Sequence, residues 1–153
     1  MIIGYPSTDF PSPPTVAMYL PEGWQGAHYP DTLLAIHEPS TTGSFVANIV
    51  VRARRYQRTP AAELISALTA ETEGHEATRT EMFDFAPPAL YRVLQPVADG
   101  QQINQQHLLA ILDEKDGEIT WAVNIIGSSA FDDESTFETI ADTLRNTNIS
   151  KPD

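Results

Sequence analysis

The amino-acid sequence predicts an α+β protein in which a mainly antiparallel sheet carries two main helices. The first observation is a long hairpin, whose two strands (105–112 and 118–126) are apolar on both faces and meet at Asp116-Gly117. Such strands are typical of the middle of a sheet covered above and below, and Asp-Gly supplies the positive φ of a tight turn. The second observation is that the other strand-like segments follow one another over short turns, which favours antiparallel pairing in an α+β sandwich with helices packed on the sheet.

Three strands are expected before the first helix and four between the two helices. They are predicted over residues 15–20, 32–37, 45–53, 77–85, 89–97, 105–112 and 118–126. The first helix is predicted over 60–73, because Thr59-Pro60 places a capping residue before a proline at the first helical position. The second is predicted over 133–146, where acidic residues begin a helix whose apolar residues recur at helical spacing, at Phe137, Ile140, Ala141 and Leu144.

The chain of 153 residues fits one domain. Residues 1–14 contain four prolines, which block helix and interrupt sheet pairing, and we interpret them as a proline-rich N-terminal arm. Residues 15–147 are expected to form the domain, and residues 148–153 a polar tail.

The charge balance excludes some classes of partner. Twenty-one acidic and nine basic residues give a formal net charge of −12, which disfavours nucleic acid and anionic lipid because both are bound through phosphate neutralisation. No apolar run reaches the ~18 residues of a membrane span, and no signal peptide is recognisable. We therefore expect a soluble, acidic, cytoplasmic protein, or alternatively a cell-envelope protein whose leader has been removed.

Three short motifs carry a resemblance to a known family. They are Leu20-Pro21-Glu22-Gly23-Trp24 after the first strand, the segment 45–51 in the third strand, and the apolar spacing of the last helix. Together they resemble the PsbP-like, Mog-type superfamily, and within it the actinobacterial LpqN-type proteins. The resemblance implies an α/β/α sandwich with an antiparallel central sheet and a role in binding other proteins, and it implies no catalytic residues.

Motifs that would carry catalysis or metal binding are incomplete. The chain has no cysteine, and His75-Glu76 lacks the second histidine of a zinc-protease motif. The acidic turn 113–118 lacks an oxygen ligand at the first position of a calcium loop, which is Leu112. We therefore expect no metal and no cofactor. An enzyme remains the alternative if its residues meet only in space, with His107, Ser128 and an acid as the candidates for a hydrolase.

The third strand ends in a cluster of arginines, Arg52, Arg54, Arg55 and Arg58. Guanidinium groups suit carboxylates and phosphates, so the cluster is the candidate binding site for an acidic peptide or small anion. Strand alternation places Arg52 and Arg54 on one face, while Arg55 turns away. The alternative is that these arginines pair with the protein's own acidic residues.

The sequence therefore predicts a non-catalytic binding or accessory protein that acts through protein–protein interaction. The alternative is a small-molecule-binding protein or a hydrolase with a spatially assembled site.

Overall fold

The fold is built on antiparallel strands. The computed structural model describes residues 1–6, 12–39, 45–70, 77–84, 87–114 and 117–151. In these residues no helix is long and apolar enough to cross a membrane. The elements, in chain order, are β1 Thr15–Ala17, β2 Gln25–Ala27, β3 Leu34–His37, β4 Asn48–Gln57, α1 Ala61–Ala70, β5 Arg79–Phe83, β6 Ala89–Leu94, β7 Val97–Ala98, β8 Gln101–Asp113, β9 Ile119–Ala130, α2 Glu134–Arg145 and β10 Asn148–Ser150.

The predicted hairpin forms the centre of the main sheet. The strand order is β2-β3-β4-β9-β8-β6-β5, with β7 also paired to β8, and all of these pairings are antiparallel. The hairpin turns at Gly117, whose φ of +81° favours glycine, whereas Asp116 lies outside the described residues. The prediction of an α+β fold with a mainly antiparallel sheet is confirmed.

Helix α2 covers one face of the sheet. Its Ile140 and Leu144 are fully buried in the main core, together with Leu108 and Val123 of the central strands. Gly127 of β9 makes this close approach possible, because a Cβ at that position would collide with Cγ2 of Ile140. The apolar stripe that the sequence predicts for this helix is therefore the face that packs on the sheet.

Helix α1 packs on the opposite face. Its buried Leu64 lies in a second, smaller core with Leu109 and Ala122. Because Leu108 and Leu109 are consecutive in β8, their side chains point to opposite faces, so the two helices sandwich the sheet between them. The predicted helical residues 71–73 lie outside the described residues.

Sequence analysis missed the short strands β2, β7 and β10. The prediction of a polar tail was wrong for residues 148–150, which pair with β1 in a separate two-stranded sheet. The buried Ile149 anchors β10 against the main core. A strand of three residues with one apolar side chain shows too little alternation to be recognised as a pattern.

Candidate functional site

A cleft of about 270 Å³ lies on the α1 face of the main sheet. Its floor and walls come from four neighbouring strands and the C-terminal half of α1. The lining residues are Arg52 and Arg54 of β4, Leu68 of α1, Arg92 of β6, His107 and Leu109 of β8, and Ala122, Asn124 and Ile126 of β9. We call this site the arginine cleft. None of the described residues that line it is acidic.

Strand register brings these distant residues together. Arg52 lies opposite Asn124 on β9, and on the next row His107 lies between Ile126 on one side and Arg92 on the other. Residues opposite each other in a sheet share a face, so the three arginines point to the same side of the sheet as α1. The cleft therefore has one cationic wall on β4, another on β6, and a largely apolar floor between them.

The predicted arginine cluster divides between two faces of the sheet. Arg52 and Arg54 line the arginine cleft, as strand alternation predicts. Arg55 pairs in register with Trp121 and therefore points to the opposite face. Arg58 lies at the end of the strand, where its Nε is 3.5 Å from Oδ1 of Asp113. The structure thus brings together two of the four candidates.

Not all of these arginines are held by carboxylates of the protein. Among the described residues, Arg52 and Arg55 have no acidic side chain within salt-bridge distance. Arg54 and Arg92 each interact with another group of the protein, and Arg58 is paired with Asp113. Internal pairing therefore accounts for some of the cluster and leaves Arg52 exposed at the cleft.

Arg92 is the cationic residue of the cleft that sequence analysis missed. It stands alone in β6 between the buried residues Tyr91 and Val93, so no local cluster marks it. Only the pairing of β6 with β8 places it beside His107. Its half-buried position lowers the pKa of the guanidinium from its ordinary value, because burial disfavours the charged form.

His107 lies in the cleft as a neutral side chain at pH 7. Only 7% of it is exposed, and its Nε2 is 3.2 Å from Oε1 of Gln105. Burial, together with the nearby positive charge of Arg92, lowers the pKa of His107 to about 4. The net charge of the described lining residues is therefore set by arginines alone.

The geometry gives little support to the hydrolase candidates. Ser128 lies on the same face as His107, but Gln105 stands between them and donates a hydrogen bond of 3.4 Å to the Ser128 Oγ. A nucleophilic serine needs a base within direct hydrogen-bond reach and an acid that orients that base. Here the histidine contacts an amide, and the charged neighbour of the histidine is Arg92, a cation.

Metal ligands do not converge within the described residues, where no group of three or more histidine, aspartate or glutamate side chains could hold an ion. The expected absence of a metal site stays a prediction, because His75 and part of the acidic turn 113–118 lie outside those residues. His37 is used locally, with its Nδ1 2.7 Å from the carbonyl oxygen of Glu38.

Comparison with known proteins identifies the fold. The sequence matches no known protein family and no curated protein. Among solved structures, it is similar to the crystal structure of LpqN, a Mycobacterium tuberculosis protein described as involved in cell envelope biogenesis. The TM-score is 0.73 over 94% of this chain and 87% of that chain, with 13% sequence identity. At this identity the likeness shows an LpqN-like fold, and the assignment to the wider PsbP-like superfamily stays a prediction.

Proposed function

We propose that this protein is a non-catalytic binding protein that recognises an anionic group of its ligand in the arginine cleft. The observation that carries the proposal is the convergence of Arg52, Arg54 and Arg92 on one cleft without an acidic residue among its described lining. Hydrogen bonds from charged donors contribute about 1.5–3 kcal/mol each, and a guanidinium can engage a carboxylate or phosphate through two of them.

The charge of the whole chain makes this local cationic site more selective. A protein with a formal net charge of −12 repels anions over most of its surface. The arginine cleft is a local exception, so an anionic ligand would be attracted to one face of the sheet. Binding would weaken with added salt, because screening reduces long-range attraction and competing anions occupy guanidinium groups.

The shape of the site favours a small molecule over a broad protein surface. Ligand sites are typically concave and largely apolar, with a few convergent polar groups. The arginine cleft has these properties, because Leu68, Leu109, Ala122 and Ile126 line it together with the cationic groups. Protein–protein interaction, which the sequence predicts, remains part of the proposal in a narrower form: an anionic side chain of a partner would occupy the cleft.

The fold supports a role as an accessory protein. LpqN, whose fold this chain shares, is described as involved in cell envelope biogenesis. By that analogy, which rests on the fold alone, we propose membership of the PsbP-like superfamily and consider the cell envelope as the alternative to the predicted cytoplasmic location. Fractionation of the source cells with an antibody against the protein would decide between the two locations.

Calorimetric titration with benzoate and with phenyl phosphate at low ionic strength tests the proposal. The double variant R52Q/R54Q should bind the better of these probes at least tenfold more weakly than the parent, and its affinity should depend less on salt. Both side chains are exposed on the strand, so thermal melting should remain close to that of the parent.

The matched control is R55Q/K151Q, which removes the same number of charges. Arg55 points to the other face of the sheet, and Lys151 follows the last strand. This variant should retain affinity within about twofold, because neither side chain lines the cleft. Equal losses in the two variants, or no loss in R52Q/R54Q, would show that the cleft is not the binding site.

A further inference from the structure

The arrangement of the three arginines restricts the kind of anion that fits the cleft. Arg52 and Arg54 stand on β4, and Arg92 stands on β6, with β9 and β8 between them. Three strand spacings separate the two walls, or about 14 Å at the usual interstrand distance. Because all three side chains nevertheless line the same cleft, they approach its centre from two sides.

A carboxylate uses this geometry less fully than a phosphate does. It accepts hydrogen bonds mainly near the plane of its two oxygens, and it carries a single charge. A phosphate monoester offers three oxygens around a tetrahedral phosphorus and carries roughly −1.5 to −2 charges at pH 7. It can therefore accept hydrogen bonds from guanidinium groups that approach from different directions, as those of the two walls do.

The floor of the cleft indicates that the ligand also has an apolar part. Leu109, Ala122 and Ile126 line the cleft between the two cationic walls, and Leu68 lines it from α1. The volume of about 270 Å³ exceeds the roughly 150 Å³ of a cavity that holds benzene. There is therefore room for a tetrahedral anion together with an apolar group of ring size.

His107 fits the same ligand. It is neutral at pH 7 and lies beside Arg92 on the cleft floor. Asn124, which lies opposite Arg52, adds an uncharged side chain that both donates and accepts hydrogen bonds. The described lining thus combines neutral polar side chains with three arginines, two of which also interact with other groups of the protein.

We propose that the ligand of the arginine cleft is a phosphate monoester with an apolar substituent. The proposal rests on the proposed function and specifies its ligand class. Phenyl phosphate is the probe, and three comparison compounds each lack one or two of its features. Benzoate is planar and singly charged, benzenesulfonate is tetrahedral and singly charged, and inorganic phosphate lacks the apolar part.

At pH 7.5, phenyl phosphate should bind the parent protein at least tenfold more tightly than each of the other three compounds. The variant R92Q should lose most of the preference for phenyl phosphate over benzoate, because only one cationic wall remains. R55Q, with its altered side chain on the opposite face, should keep the preference. If R92Q fails to fold, R52Q/R54Q gives the same comparison, because it removes the cationic wall on β4 and leaves the one on β6.

The outcomes separate the ligand class from the site. If benzoate or benzenesulfonate binds as tightly as phenyl phosphate, with loss in R52Q/R54Q, the ligand class is wrong and the anion site stands. If no probe distinguishes R52Q/R54Q from R55Q/K151Q, both proposals fail. A peptide containing phosphotyrosine identifies the source of the phosphate. Tighter binding than that of phenyl phosphate indicates a modified protein, and equal binding indicates a free metabolite. Either result supports the phosphate monoester as the ligand class.

Discussion

Replacing His107 by glutamine should remove a large part of the acid sensitivity of the fold. His107 is 7% exposed, and burial, assisted by the charge of Arg92, lowers its pKa from 6.5 to about 4. Between these two values the unfolded chain binds a proton that the folded chain does not. The free energy of unfolding therefore decreases as the pH falls through this range.

The magnitude follows from the separation of the two pKa values, which corresponds to a total of about 3 kcal/mol. About 2 kcal/mol of it should be lost between pH 7.0 and pH 4.5, where the unfolded histidine is almost fully protonated and the folded one is still mostly neutral. The chain also contains 21 acidic residues, so the comparison with the variant is needed to isolate the contribution of His107.

Urea unfolding of the parent and of His107→Gln at both pH values measures the effect. The variant should lose about 2 kcal/mol less than the parent on acidification, whatever its stability at neutral pH. NMR titration of the imidazole of His107 gives the pKa directly. In Arg92→Gln the pKa of His107 should recover less than half of its lowering, because burial is the larger cause and this variant leaves it in place. Identical acid sensitivity in parent and His107→Gln would refute the reasoning.

Two further predictions concern the packing of α2 on the sheet. Gly127→Ala should destabilise the fold by about 1–3 kcal/mol, because the new Cβ would collide with Cγ2 of Ile140. In a double-mutant cycle with Ile140→Ala, measured by urea unfolding, the two losses of stability should not add. Strict additivity would show that the two residues do not meet. Leu144→Ala should cost about 2–5 kcal/mol, because the side chain is fully buried, and a thermal melt equal to that of the parent would contradict the helical stripe.

The sequence predicted the parts of the fold that depend on long periodic segments. The central hairpin and the second helix have enough residues to show their period, and the structure has both in the expected places. The short strands β2 and β10 were not predicted, because three residues are too few to show a period. Ile149 illustrates the reason: it is buried only because β10 pairs with β1, a contact between the two ends of the chain that local pattern does not encode.

The candidate site was predictable to the extent that it is local in sequence. Arg52 and Arg54 are two residues apart on one strand, so alternation alone places them on one face. Arg92 lines the same cleft only because of the register of β6 on β8. No pattern in the neighbouring sequence indicates this position. Arg58 shows the converse, because it is near the cluster in sequence but lies 3.5 Å from Asp113 at the end of the strand.

The most direct test of the arginine cleft as an anion site is an NMR titration that observes the Nε–Hε groups of the arginines. Addition of phenyl phosphate should shift the signals of Arg52, Arg54 and Arg92 along saturable curves with one common affinity. The signals of Arg55 and Arg145, which serve as internal controls, should move no more than they do in sodium chloride of equal ionic strength. Similar shifts at all five arginines, or saturable shifts at the controls alone, would contradict the assignment of the cleft as the binding site.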